Sequence, residues 1–323
     1  MEHLLPVLRC PRDVGTLERV SEDELACGAG HKYPIIRGIP VLLVPEDDPT
    51  RYAADTVALL GGQDLPSTEP SNGIDPYVAD VLPSTNGYLY RTARLTRYPI
   101  PEIRLPNGEG RMLVDVGAGW GRWSISAARA GYRVIAIDPL YQMCAAALRV
   151  SRSLRIPIDV VCADATHLPI ADRKVDVVFS YSVLQHFAKE VARNAIAEAS
   201  RVARDEGTVL IQLPNARGAR QLINRARQAL GRGDAEHHFR VRYWTPAEIE
   251  RVFGRLIGPT SVEVDGFLSL DAQRADFDIL SPAARVVVST SEVLRWTARR
   301  FPPLLAVADS LYARSTVRHS GPS

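Results

Sequence analysis

The stretch VDVGAGWGRW, Val114 to Trp123, constrains this chain more than any other. An apolar run carrying one aspartate ends in three glycines at alternate positions, Gly117, Gly119 and Gly121. β-Branched residues followed at once by glycines and then by a helix-period pattern read as a buried strand, a tight turn and a helix. The alternation then repeats. Strands are expected over Met112–Gly117, Arg133–Asp138, Ile158–Asp164, Val175–Ser180 and Gly207–Pro214. Helices are expected over Trp120–Ala130, over Tyr141–Ser153 and along the stripe Val191, Ala195, Ala199 and Val202. Strands that alternate with helices imply right-handed crossovers, which predicts an α/β fold with a doubly wound, mostly parallel sheet.

Two further strands, Ser261–Leu270 and Ser310–Val317, bring the expected count to seven. Before them, TPAE (Thr245–Glu248) reads as a capping box with proline at the first helical position. Between them, residues 271–308 carry helical periodicity over Ala283–Phe301, an insertion placed to act as a lid. Upstream, residues 1–46 form a β-rich module, with β-branched runs broken by Gly and Pro. Residues 47–83 are Gly, Pro, Ser and Asp rich and read as a linker with at most a short helix over Arg51–Leu60. The main domain is expected over 84–323.

The glycine spacing narrows what such a turn can hold. A dinucleotide fingerprint wants G-x-G-x-x-G, and Arg122 occupies the place of its third glycine. DVGAGWG, with Asp115 two residues before Gly117, instead resembles the first motif of class I S-adenosylmethionine-dependent methyltransferases. The resemblance extends over Tyr88–Pro214 and implies a Rossmann-like methyltransferase fold. It also implies residue roles. Gly117, Ala118, Gly119 and Gly121 would let backbone approach the cofactor, and Asp115 would oppose its cationic end. Asp138 in AIDP, followed by Pro139, would accept hydrogen bonds from both ribose hydroxyls. Asp164 and Ala165 would meet the adenine, and Ser180 would complete the pocket.

Methyl transfer is an in-line displacement, so holding the acceptor aligned is much of the work. A base is needed where the acceptor is a hydroxyl. FSYSVLQHF, after the fourth strand, supplies Tyr181 and His186 as candidate catalytic residues; His186 also reads as a helix-start histidine bonded to backbone. EHHFRVRYW offers His237, His238, Arg240 and Arg242 for an anionic or sugar-like acceptor, or else a solvated loop. Residues 216–233 place Ala219, Leu222, Ile223, Ala226 and Leu230 on one helical face among five arginines, a pattern suited to a lipid surface, to phosphates, or to plain solvation.

In the N-terminal module, Cys10, Asp13, Cys27 and His31 resemble the ligand pattern of the zinc-ribbon-like domains that precede some bacterial methyltransferases, with Asp13 where a cysteine is usual. The alternatives are a bound zinc or a module that has lost its metal. A net charge of +2 gives no argument for nucleic acid, and the motif set on four strands with the lid-like insertion leads to an expected acceptor that is a small molecule or saccharide, methylated at oxygen. An rRNA or tRNA methyltransferase and a non-catalytic cofactor-binding scaffold are the competing readings. Four scattered cysteines suit a reducing cytoplasm, and the longest uncharged apolar stretch, Gly38–Pro45, is far short of the roughly 18 residues of a membrane span.

Overall fold

Apolar β-branched runs become strands here because both of their faces are covered, as parallel sheets require. The computed structural model describes residues 2–44, 73–85, 95–221, 241–268 and 272–319. Four short strands come first, β1 (Leu17–Ser21), β2 (Glu24–Cys27), β3 (Lys32–Ile36) and β4 (Ile39–Pro40), paired antiparallel in chain order. Helix α1 (Pro76–Thr85) follows. The main sheet then begins with β5 (Met112–Val116), α2 (Arg122–Arg129), β6 (Arg133–Asp138), α3 (Tyr141–Leu154), β7 (Asp159–Cys162) and β8 (Val175–Ser180). It closes with α4 (Lys189–Val202), β9 (Ala203–Pro214), α5 (Pro246–Leu256), β10 (Thr260–Gly266), α6 (Pro282–Ala298) and β11 (Ser310–Thr316).

The seven strands lie in the order β10-β11-β9-β8-β5-β6-β7. The five from β9 to β7 are mutually parallel, and β11 runs antiparallel to both β9 and β10. The chain leaves β5 toward β6 and β7 on one side and returns to β8 and β9 on the other. That reversal opens a crevice at the carboxyl ends of β5 and β8, the place where open α/β sheets bind ligands.

Local chemistry sets the helix ends. Thr245 accepts the Glu248 amide at 3.2 Å with Pro246 next to it, as the capping pattern predicts. Helix α1 corrects the expected linker, which was drawn through Pro83. Asp75 accepts the Tyr77 amide at 2.9 Å, so a capped turn starts inside the Gly and Pro rich stretch. Arg149 of α3 then pairs with Asp75 at 2.8 Å, both side chains largely buried. The short helix expected over Arg51–Leu60 lies outside the described residues.

The N-terminal module is joined to the main sheet. Val41 bridges Cys162 in parallel, and the Leu42 amide donates to the Cys162 carbonyl at 2.7 Å. Leu8 bridges Ile170, flanked by Arg9 N to Pro169 O at 2.9 Å and Ala171 N to Val7 O at 2.8 Å. The module thereby covers β7, whose free edge would otherwise invite pairing with another chain. Leu8, Leu25 and Leu42 belong to one apolar cluster with Val114, Ile135 and Val161 of the sheet.

Candidate active site

The turn after β5 is built on left-handed backbone: φ is 74° at Gly117, 55° at Gly119 and 86° at Gly121. A Cβ on Gly117 would stand 2.2 Å from Val183 Cγ2, so the turn interlocks with the loop after β8. The Gly117 and Ala118 amides both donate to the Ile137 carbonyl, at 2.8 and 2.9 Å. The Gly119 amide donates to Asp138 Oδ2 at 2.8 Å, and Leu140 N to Asp138 Oδ1 at 2.9 Å. Each oxygen of Asp138 keeps a lone pair, so the carboxylate can still accept from two hydroxyls at once.

Two further carboxyls flank it. Asp164 Oδ1 accepts from the Thr166 amide and hydroxyl, while its Oδ2 takes no bond among the described residues. Asp115 is 1% exposed, and its Oδ2 accepts the Ser124 hydroxyl at 2.6 Å, tying β5 to the first turn of α2. Burial pushes Asp115 up to about 7, with the Ser124 hydroxyl opposing and the Asp138 charge adding. Burial pushes Asp138 up to about 6, opposed by the Leu140 and Gly119 amides and reinforced by Asp164. Among the described residues, no cationic side chain pairs with any of the three.

The loop after β8 carries the next group. The Ser180 hydroxyl donates to the Val116 carbonyl at 2.8 Å, so it holds β8 to β5. Ser182 takes a φ of 64°, unusual for a side-chain-bearing residue, and its amide donates to Gln212 Oε1 at 2.8 Å. Gln212 continues to the Ser310 hydroxyl at 2.7 Å, which donates to Asp265 Oδ2 at 2.7 Å. The Tyr181 hydroxyl donates to the same oxygen at 2.8 Å, with its ring 4.5 Å from that of Trp123. Arg104 neutralises Asp265 at 3.1 Å and reaches Glu292 of α6 at 3.0 Å.

His186 ends a short 3-10 turn, Leu184–His186. Burial holds its imidazole below the usual 6.5, a hydrogen bond to the Ser182 backbone opposes this, and the Arg242 charge adds to it. Arg242 donates from its amide to the Gln185 carbonyl at 2.8 Å and from Nη1 to the His186 carbonyl at 2.8 Å. Residues read from two distant motifs are thus brought together, with Arg242 bracing the histidine loop. His237, His238 and Arg240 lie outside the described residues.

Sequence reasoning missed Gln212, Asp265, Ser310 and Arg104. A signal existed for the first: Gln212 is a polar residue in the otherwise apolar run VLIQLP, 5% exposed. The two tryptophans of the opening motif also find their places. Trp120 is 1% exposed and packs toward Tyr98, so it fills the core, while Trp123 backs Tyr181. A separate cleft of about 710 Å³, lined by Tyr98, Pro101, Ser126, Arg129 and Leu154, lies toward the far end of α2 from the glycine turn.

In the N-terminal module, the ligand atoms of Cys10, Asp13, Cys27 and His31 all lie within 4.8 Å of one another. His31 Nδ1 is 3.4 Å from each sulfur and 3.2 Å from Asp13 Oδ2. Gly15 N donates to Asp13 Oδ1 at 2.8 Å and fixes the carboxylate.

This strand order, with its glycine turn on the first strand and carboxyls at the ends of the next two, is the Rossmann-like methyltransferase fold. Residues 114–211 match the family model of the methyltransferase domain. The chain is similar to a malonyl-[acyl-carrier protein] O-methyltransferase of Yersinia pestis, 33% identical over 101 residues, 31% of this chain and 36% of that protein. It is similar also to a demethylmenaquinone methyltransferase of Thermobifida fusca, 38% identical over 103 residues, 32% of this chain and 43% of that one. The chain thus spans less than half the length of these relatives. Among solved structures, magnesium protoporphyrin IX methyltransferase of Synechocystis with bound SAM aligns over 66% of this chain and 72% of that one, at 16% identity and a TM-score of 0.41.

Proposed function

We propose that this chain is an S-adenosylmethionine-dependent methyltransferase that methylates a small-molecule or saccharide acceptor at oxygen. The observation that carries this reading is the set of three buried carboxyls, Asp115, Asp138 and Asp164, around a left-handed glycine turn, paired with no cationic side chain among the described residues. Such a site repels a pyrophosphate and favours a nucleoside bearing positive charge, whose approach would draw the raised carboxyls back toward ionisation. Asp138, with Pro139 behind it, would hold the ribose hydroxyls. Asp164 and Ala165 would meet the adenine, and the backbone of Gly117, Ala118, Gly119 and Gly121 would line the methionine portion, with Ser180 holding the two strands together beneath.

Bound there, S-adenosylmethionine supplies an electrophilic methyl group on a sulfonium. The chain's own residues align the acceptor and manage its proton. His186, kept neutral by burial, can take the hydroxyl proton as the new carbon–oxygen bond forms. Tyr181, fixed by Asp265, would orient the acceptor oxygen. Incubation with methyl-labelled cofactor and a fractionated cell extract tests this. The expected result is label in a small-molecule or saccharide fraction, lowered about 100-fold in His186→Ala. Label confined to RNA would overturn the acceptor class, and cofactor binding without label in any fraction would overturn the activity.

The N-terminal cluster belongs to the same proposal. Two cysteine sulfurs, an imidazole and a carboxylate converging within 4.8 Å fit a tetrahedral zinc ion held by Cys10, Asp13, Cys27 and His31, whose part would be structural. Metal analysis of the purified chain is expected to find one zinc per molecule. Asp13→Ala should lose it and melt several degrees lower, while Asp13→Cys should keep it. A metal-free chain with the melting temperature of the metal-loaded one would sink this reading.

A further inference from the structure

The insertion between β10 and β11 carries a surface that the chemistry above does not use. Nine large apolar side chains are exposed among the described residues. Six of them cluster in the insertion: Val286, Val287, Val293 and Trp296 in α6, Val307 in the 3-10 turn Pro302–Val307 that follows it, and Phe301 in the link between the two. Scattered exposed apolar residues are ordinary, but such concentration on one insertion marks an interaction surface. Val286 and Val293 are two helical turns apart and share a stripe, 65% and 63% exposed. Trp296 in the last turn of α6 and Phe301 just beyond it extend the surface, 54% and 56% exposed.

The opposite side of α6 is already anchored. Val288 is fully buried, the Ser291 hydroxyl accepts the Phe267 amide at 2.9 Å, and Glu292 pairs with Arg104. The exposed side is therefore not the face the helix uses to fold.

Charge decides what covers it. Residues 282–307 contain four arginines, Arg285, Arg295, Arg299 and Arg300, against one acidic residue, Glu292. That glutamate is engaged by Arg104 and by Arg295 at 2.6 Å. Arg299 and Arg300 are exposed, and the Arg300 guanidinium lies over the Trp296 ring at 4.1 Å. Asn215 Nδ2 donates to the Ala306 and Ala308 carbonyls at 3.0 and 2.8 Å, so exposed Arg217 and Arg220 leave the sheet beside the same turn. A two-fold pairing of copies would set these arginines against each other, whereas an anionic surface with an apolar interior suits both halves of the patch.

We propose that α6 and the turn after it dock on an anionic lipid surface, the apolar stripe entering the acyl boundary and the arginines meeting headgroup phosphates. No helix among the described residues is long and apolar enough to cross a membrane, and the contact inferred is with its surface. The insertion leaves the sheet at Gly266 and rejoins it at Ser310, both paired beside Pro214 at the carboxyl edge. The inference stands independently of the proposed activity.

The tryptophans supply the readout, since Trp120, Trp123 and Trp244 are buried and Trp296 is exposed. Titration of the full chain with phosphatidylglycerol vesicles should give co-sedimentation and a blue shift of tryptophan emission. Phosphatidylcholine vesicles should bind about tenfold more weakly or less. The double variant Val293→Asp, Phe301→Asp should lose binding at least tenfold while keeping its folding and its affinity for S-adenosylmethionine, which separates this result from any failure of the activity. A chain that stays in the supernatant with phosphatidylglycerol overturns the proposal, as does a double variant that binds like the parent. A dimer seen by light scattering and dissolved by the double variant would assign the surface to a second copy and overturn it equally.

Discussion

Asp138→Ala is expected to weaken S-adenosylmethionine binding, measured by calorimetry, by about 100-fold or more. Two hydrogen bonds to an ionised acceptor in a dry site contribute about 1.5 to 3 kcal/mol each, and even their lower sum exceeds a hundredfold change. The substitution also frees the Gly119 and Leu140 amides, so part of the loss comes from a turn no longer held in its left-handed form. The pH dependence reports the charge of the site. With its pKa pushed up to about 6, Asp138 is a carboxylate above that value and a neutral acid below it. With Asp115 pushed up to about 7 in the same site, affinity should be level above about pH 8, begin to fall near 7 and fall at least about tenfold per pH unit below 6. The sign for folding without ligand is opposite. A carboxyl whose pKa rises from 3.8 on folding favours the folded state when protonated, so its contribution declines as pH climbs from about 4 to about 6. Binding that is flat with pH from 5 to 8, or equal in Asp138→Ala, would remove Asp138 from the cofactor site.

The parts of this arrangement legible in the sequence are those that repeat with a local period. β6 begins and ends where the pattern RVIAID does, and α5 starts at its capping box. β9 runs further back than its apolar pattern, from Ala203, because α4 passes directly into it and the strand bends at Glu206, φ 58°. Helix α1 hid within turn-forming residues, since its start depends on one Asp75 side chain and its stability on a partner at Arg149, far along the chain. The glycine turn, Asp138 and Asp164 were readable because strand order puts successive strand ends at one edge. The bracing of Tyr181 by Asp265, and of Ser182 by Gln212, was not, because β10 and β11 reach that edge only through the sheet order. The pairing of Val41 with Cys162 is equally non-local, which is why the first residues read as a separate module.

Leu42→Asp therefore tests whether that module is an appendage or part of the fold, and it is expected to abolish cofactor binding by unfolding the chain. Leu42 is fully buried, and its amide is bonded to the last residue of β7. Losing its burial costs about 2 kcal/mol, and an unpaired polar or charged group in its place adds several more, against a total stability of about 5 to 15 kcal/mol for an ordinary domain. The damage reaches the site through a short path. Residues 163–168, which include Asp164, are held between the Leu42 bond to Cys162 and the bonds of Val7 and Arg9 to Ala171 and Pro169. Leu42→Ala should cost about 2 to 5 kcal/mol, lowering a single melting transition while leaving the cofactor affinity of the folded fraction near that of the parent. Calorimetric melting distinguishes the alternatives. An independent module would melt separately in Leu42→Asp and leave a main domain with unchanged affinity. Because Leu8, Leu25 and Leu42 share one apolar cluster with Val114 and Ile135 of the central strands, one cooperative transition is the outcome that the packing requires.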